Sequence, residues 1–168
     1  MLIFIYNNIN IDYFTSICKN IPLIEGRGLQ SKIIINNKKV KIIDESYNAS
    51  PQTMKNSIDY FEKIKTTNQQ KKYLILGDMC ELGVNEISFH IELLIYLSKK
   101  NLKNVIICGD LMKIALEKTL NKNILYMLNS ELIFNYIAKN ININDVILIK
   151  GSNSSITNIL AKKLLSYE

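Results

Sequence analysis

The sequence predicts an α/β fold: a mostly parallel sheet of six strands flanked by helices and opened by an N-terminal hairpin. Three observations carry this expectation. Six short runs rich in β-branched residues punctuate the chain, segments with apolar residues at helical spacing separate the later runs, and glycines and aspartates gather where those runs end. Strand and helix in alternation are the pattern of parallel strands joined by right-handed crossovers.

The runs fall at "SKIIIN" (31–36), "KVKIID" (39–44), "KYLILG" (72–77), "NVIICG" (104–109), "NILYM" (123–127) and "DVILIK" (145–150). The first two flank Asn36-Asn37, and Asn accepts the positive φ of a two-residue hairpin turn better than most residues. After Pro51, Met54, Ile58, Phe61 and Ile64 recur at helical spacing. Ile91, Leu94, Ile95 and Leu97 do so after Ser88, and 111–120, 132–137 and 156–165 complete the set. No repeat, low-complexity tract or long linker interrupts the pattern. The first 28 residues differ, reading as one short helix, a proline and a loop with two glycines. They are expected to be the stub of a preceding domain and a hinge, with the α/β domain spanning 29–168.

At 168 residues, 48% hydrophobic and 21% charged, the chain can bury a core and is not of disordered composition. The net charge of +6 comes from dispersed lysines, with no basic stripe interleaved with aromatics, so nucleic-acid binding is not expected. Cys18, Cys80 and Cys108 are odd in number and lack CxxC spacing, which suits a reducing cytoplasm and gives no metal pattern. "MLIFIY" is far short of the ~20 apolar residues that span a bilayer. Asn, Ile and Lys are heavily used, and against them stand one Arg (Arg27), one His (His90), two Pro and six Gly.

Ligands of open parallel sheets bind beyond the carboxyl ends of the strands. Here those ends carry "DESYNASP", "GDMCELG", "GDL" and "KGSNSS". In the first, Ser50 and Pro51 suit a helix start and Asn48 an Asx-turn, while Asp44, Glu45 and Tyr47 have no evident structural task. "KGSNSS" puts Lys150, Gly151 and hydroxyls, Ser152 first, before a helix whose positive end attracts anions. Asp78 and Glu81 suit a metal, an amine or a helix cap, and His90 suits either packing or a site loop. Neither GxxxxGK[ST] nor GxGxxG occurs, and no Ser-His-Asp or Cys-His set follows from spacing.

"GRG", "DESYNASP", "LGDMCELG" with a histidine seven residues past its last glycine, and "LIKGSNS" occur in that order. Together they resemble the C-terminal, Rossmann-like domain of the Mur ligases, whose forms read GRG, DDSYNANP, LGDMxELG…H and KGSR. The branch most resembled joins D-Ala-D-Ala to UDP-N-acetylmuramoyl-tripeptide for peptidoglycan synthesis. The resemblance implies ATP and Mg²⁺, an acyl-phosphate intermediate, and attack by the dipeptide amine. It places Arg27, Asp44, Tyr47 and Asn48 toward nucleotide, and Lys150, Gly151, Ser152 and Asn153 toward the incoming amine substrate.

Glu45 and Ser50 replace the family's Asp and Asn. Asn153 stands where the family has an arginine, and loss of a bidentate contact there costs roughly a few kcal/mol of binding. The GTxGKT loop and modified lysine of the family's central domain are absent, as is its UDP-sugar domain. The fragment is therefore expected to carry no catalytic residue and to be inactive alone, with a separately encoded N-terminal portion as a candidate partner. Alternatives are a non-catalytic remnant or binding module, a folylpolyglutamate-type ligase, and an unrelated Rossmann-like domain.

Overall fold

The computed structural model describes Ser16, residues 24–119, Asn121 and residues 123–167. The helix expected in the first 23 residues lies outside them, apart from Ser16. The described elements run β1 (Leu29–Ile35), β2 (Lys38–Glu45), α1 (Pro51–Lys63), β3 (Lys72–Leu76), α2 (Glu86–Ser98), β4 (Asn104–Ile107), α3 (Asp110–Thr119), β5 (Ile124–Tyr126), α4 (Ser130–Asn140), β6 (Val146–Lys150) and α5 (Ile156–Leu165). All six strands form one sheet in the order β1-β2-β6-β3-β4-β5. Only β1 runs antiparallel to its neighbour, so the expected α/β sheet with an N-terminal hairpin is what forms.

The hairpin closes through Asn36 and Asn37, both at positive φ (48° and 64°), with Ile35 opposite Lys38. This ends β1 one residue before the expected limit. Glycine takes the second position of such a turn without a Cβ penalty. Asn37→Gly is therefore expected to stabilise the domain by about 0.5–1 kcal/mol, read as a higher urea midpoint at unchanged slope.

From β2 the chain steps outward through β3 and β4 to β5, then reverses and returns β6 between β2 and β3. A right-handed crossover must change faces when its direction reverses. Accordingly α1, α2 and α3 pack on one face, through Met54, Ile58, Phe61, Leu93, Leu94, Leu97, Met112 and Ala115, with alternate strand residues Ile43, Leu74, Leu76 and Leu148. On the other face α4 and α5 bring Ile133, Ile137, Leu160 and Leu164 against Ile42, Ile75, Ile147 and Ile149. β6 is buried at every position, as its uninterrupted "VILIK" requires of a central strand.

Both ends of α1 are satisfied by side chains. Ser50 and Thr53 form a reciprocal capping box at α1, with Pro51 in the first turn. At its other end the Lys72 ammonium donates to the carbonyls of Phe61, Glu62 and Ile64. α2 begins at Glu86, earlier than its apolar periodicity suggests, because the turn Gly83–Asn85 winds directly into it.

Candidate functional site

The helices leaving β2 and β3 lie on one face and the helix leaving β6 lies on the other. This splaying opens the crevices on both sides of the β6 carboxyl end, the place where open α/β sheets receive ligands. In the parallel register Glu45 of β2 and Leu76 of β3 both stand opposite Lys150 of β6. Three strand-end loops therefore meet there.

Segment 24–28 folds over the first of these loops. The Gly28 N–H donates to the Asp44 carbonyl at 2.7 Å and the Tyr47 N–H donates to the Gly26 carbonyl at 3.1 Å. Gly26 has φ +74°, and a Cβ there would sit 2.8 Å from Tyr47 Cβ, so only glycine allows the approach. The result is an Arg27 guanidinium lying 4.3 Å from the centre of the exposed Tyr47 ring. A cation so placed is held by the ring's π-face, and its N–H groups can still donate to ligand oxygens.

Beneath this stack lies a hollow of about 380 Å³ lined by Arg27, Glu45, Asn48, Asn56, Ser57 and Lys150, among others. The side chains of Lys150 and Glu45 are 6% and 23% exposed and pair at 3.2 Å. Lys150 Nζ also donates to the Asn48 carbonyl at 3.2 Å, and the Ser57 hydroxyl donates to Glu45. One ammonium thus ties the end of β6 to the DESYNASP loop, and α1 supports the carboxylate. On the far side of Tyr47 a second hollow of about 250 Å³ brings together Asp44, Asn153, Asn158 and Lys162. Gly26 borders both.

The residues singled out from sequence divide accordingly. Arg27, Asn48 and Lys150 line one hollow; Asp44, Tyr47 and Asn153 line the other. Asp44 is buried and its Oδ1 accepts from the Ser46 N–H at 3.0 Å, so it also shapes the turn. The Ser152 hydroxyl accepts from the Cys80 N–H at 2.8 Å and stitches "KGSNSS" to "GDMCELG". Gly151 is a spacer: a Cβ there would lie 2.2 Å from Thr157 Oγ1.

Asp78, Glu81 and His90 line neither hollow. His90 is fully buried; Nε2 accepts from the Met79 N–H at 2.9 Å, so Nδ1 holds the proton donated to the Glu86 carbonyl. It braces the loop. Glu81 is exposed at φ +63°. Asp78 caps a helix, but α3 rather than α2, accepting from the Met112 N–H at 2.9 Å and the Leu111 N–H at 3.3 Å.

Burial pushes the Asp78 carboxyl above its usual range, outweighing those two hydrogen bonds and the nearby His90. Its folded-state pKa therefore exceeds the unfolded value, and the folded chain binds more protons between the two. Stability should fall as pH rises from about 4 through the elevated pKa. In Asp78→Asn that contribution disappears. The stability difference between wild type and variant, from urea titrations across this window, should shift toward the variant as pH rises.

Asn56 and Ser57 are the site residues that sequence reasoning missed. Glu45, legible only as lacking a structural task, shares the strand face of Ile43 and therefore points toward α1.

An open α/β domain with a polar cleft at its switch point, edged by a single stacked arginine, is the class that fold and site define. The chain belongs to the Mur ligase family, matching its glutamate ligase domain over residues 32–153. It is 34% identical over 134 residues to the UDP-N-acetylmuramoyl-tripeptide–D-alanyl-D-alanine ligase of Rickettsia prowazekii (strain Madrid E), covering 79% of this chain and 28% of that protein. Against the enzyme of the same name from Bacillus subtilis (strain 168) it is 29% identical over 142 residues, covering 82% and 31%. The chain thus spans about a third of the length of these relatives.

Among solved structures, the MurF ligase of Thermotoga maritima, in complex with ADP, superposes with a TM-score of 0.73 at 24% identity, over 98% of this chain and 34% of that one. A MurF structure from Acinetobacter baumannii gives 0.76 at 19% identity, over 95% and 35%. These establish the shared fold.

Proposed function

We propose that residues 29–168 form the C-terminal domain of an ATP-dependent amide ligase that joins D-Ala-D-Ala to UDP-N-acetylmuramoyl-tripeptide during cytoplasmic synthesis of peptidoglycan precursors. Residues 1–28 are then its hinge and the end of the domain before it. The observation that carries this reading is the Arg27–Tyr47 stack at the mouth of a hollow floored by Glu45 and Lys150, in a chain of this family.

In the reaction, the tripeptide carboxylate takes the γ-phosphoryl group of ATP, releasing ADP. The dipeptide amine then attacks the acyl carbon, the amide bond forms, phosphate leaves with the bonding pair, and the amine loses a proton. Arg27 presents its guanidinium edge to phosphate or ribose oxygens, while Tyr47 and Asn48 border the nucleotide and Asp44 fixes their turn. The loop from Lys150 to Asn153, spaced by Gly151 and Ser152, spans the two hollows, with Lys150 on the Arg27 side and Asn153 on the Tyr47 side. We assign it to the incoming amine substrate. Such catalysis is positioning and electrostatics.

The sequence has no phosphate-loop motif, so the γ-phosphate must be gripped by a unit outside these residues, either another part of a longer chain or a separate polypeptide. Mg²⁺ does not fit here: no cluster of three acidic, His or Cys groups stands ready among the described residues, and Lys150 and Ser57 engage Glu45. We assign it no ligand in this domain. No described helix is long and apolar enough to cross a membrane.

The test combines this chain with the ATP-binding portion of the ligase, ATP, Mg²⁺, UDP-muramoyl-tripeptide and D-Ala-D-Ala. Amide product and phosphate should appear only when both pieces are present. A verified complex that releases no phosphate would identify the domain as a non-catalytic binding module. Arg27→Lys should weaken ATP binding by about tenfold while leaving the thermal transition in place, since a lysine offers no bidentate fork.

A further inference from the structure

At the opposite end of the sheet, by the amino ends of β2 and β6, a hollow of about 370 Å³ is lined by Lys32, Lys39, Lys41 and Lys65, with the amides Gln70 and Asn144. No acidic residue lines it. We propose that this hollow binds a compact anion carrying two or more phosphate groups, separate from any ligand of the β6 carboxyl end.

Three observations converge. First, Lys32 stands directly opposite Lys41 in the antiparallel register, and like charges in that relation destabilise a sheet. Lys39 lies two residues from Lys41 on the same strand face, and Lys65 joins them from just beyond α1. Second, the described acids that could neutralise them serve elsewhere. Asp59 and Glu62 pair with Lys100, Glu45 with Lys150 and Glu131 with Lys163. None of the four hollow lysines makes an ion pair among the described residues. The nearby Asp145 is fully buried, with its oxygens accepting from the Lys71 and Asn142 N–H groups at 2.7 Å.

Third, the rim is built before any ligand arrives. Asn144, at φ +66°, donates its N–H to the Lys39 carbonyl at 2.7 Å, and the Lys41 N–H donates to the Asp145 carbonyl at 2.9 Å. These bonds clamp the turn before β6 against β2 and give the cluster a fixed concave floor, which includes Val40 and Val146. Four lysines lining so small a volume call for high charge density. Linked phosphates supply several charges and many acceptor oxygens in that space, and lysine binds them as a mobile point charge.

The test titrates the chain with inorganic tripolyphosphate at about 150 mM salt, where loose surface attraction is largely screened. Isothermal calorimetry reads affinity and amide NMR shifts read location. Shifts centred on Lys32, Lys41, Lys65 and Asn144 are expected. Lys32→Gln with Lys41→Gln should weaken binding by at least about tenfold, and without ligand should raise the melting temperature, since the cross-strand repulsion is gone. Unchanged affinity in the double variant would overturn the proposal, as would shifts centred on Arg27 and Lys150 or heat that vanishes at this salt. Binding to phosphatidylglycerol vesicles with none to tripolyphosphate would also overturn it, and would identify a lipid-facing surface instead. None of these outcomes depends on ligase activity.

Discussion

Replacing Gly109 with alanine is expected to remove on the order of 3–5 kcal/mol of stability, enough to threaten folding of a domain this size. Gly109 has φ +107°, a conformation that side-chain-bearing residues rarely adopt, and a Cβ there would fall 2.3 Å from the Asp78 carboxylate. The methyl group would evict Asp78 from the first turn of α3, leaving the Leu111 and Met112 N–H groups without their acceptors. The two costs can be separated. In an Asp78→Ala background the collision is gone and only backbone strain remains, so Gly109→Ala should cost clearly less there. Urea denaturation of the four proteins gives the coupling, expected to exceed about 1 kcal/mol. Additive single effects would mean that the carboxylate moves aside freely.

Lys150→Met should cost about 2–4 kcal/mol. It strips Glu45 of its cation and the Asn48 carbonyl of its donor, while the methionine stem still fills the strand end. Breaking a buried pair from one side is costly because the remaining charge stays desolvated, and the partial exposure of Glu45 tempers the loss. The same substitution in a Glu45→Gln chain should cost at least about 1 kcal/mol less. In the reconstituted ligase, Lys150→Met should lower turnover beyond its effect on melting temperature. A loss of stability alone would make Lys150 a strut of the loop and nothing more.

Much of the architecture was legible because each element carries its own local signal. The strand runs are apolar and β-branched, α1 repeats apolar residues at helical spacing, and Asn36-Asn37 announces its turn. The interior place of β6 agrees with its apolar "VILIK", but the edge place of β5 was not legible: "ILY" is as apolar as a central strand, and only the structure shows it partly exposed. The site was legible only as a set of loops. That Glu45 would meet Lys150 depends on parallel register across about a hundred residues, which no local pattern encodes. That Gly77 and Gly151 serve close packing against Ser155 and Thr157 is likewise invisible in the sequence, since those contacts join separate strand ends to one helix start. His90 and Ser152 kept their ambiguity because a side chain that braces a loop and one that serves chemistry use the same atoms. Only the location of their partners, the Met79 and Cys80 amides, distinguishes them.

The late return of β6 also governs the order in which this domain can assemble. β2 and β3 are not paired with each other; the strand that bridges them, β6, is the last of the six to be synthesised. Until the ribosome has released residues through 150, each presents an unpaired, strongly apolar edge, and its neighbours β1 and β4 can protect only the far side. Nascent chains of this domain should therefore remain sensitive to protease until β6 emerges, and then become resistant in a single step. Slow closure over such a separation is the regime in which transient aggregation is greatest. A lysine-rich surface with net positive charge would oppose that association while the keystone strand is still missing.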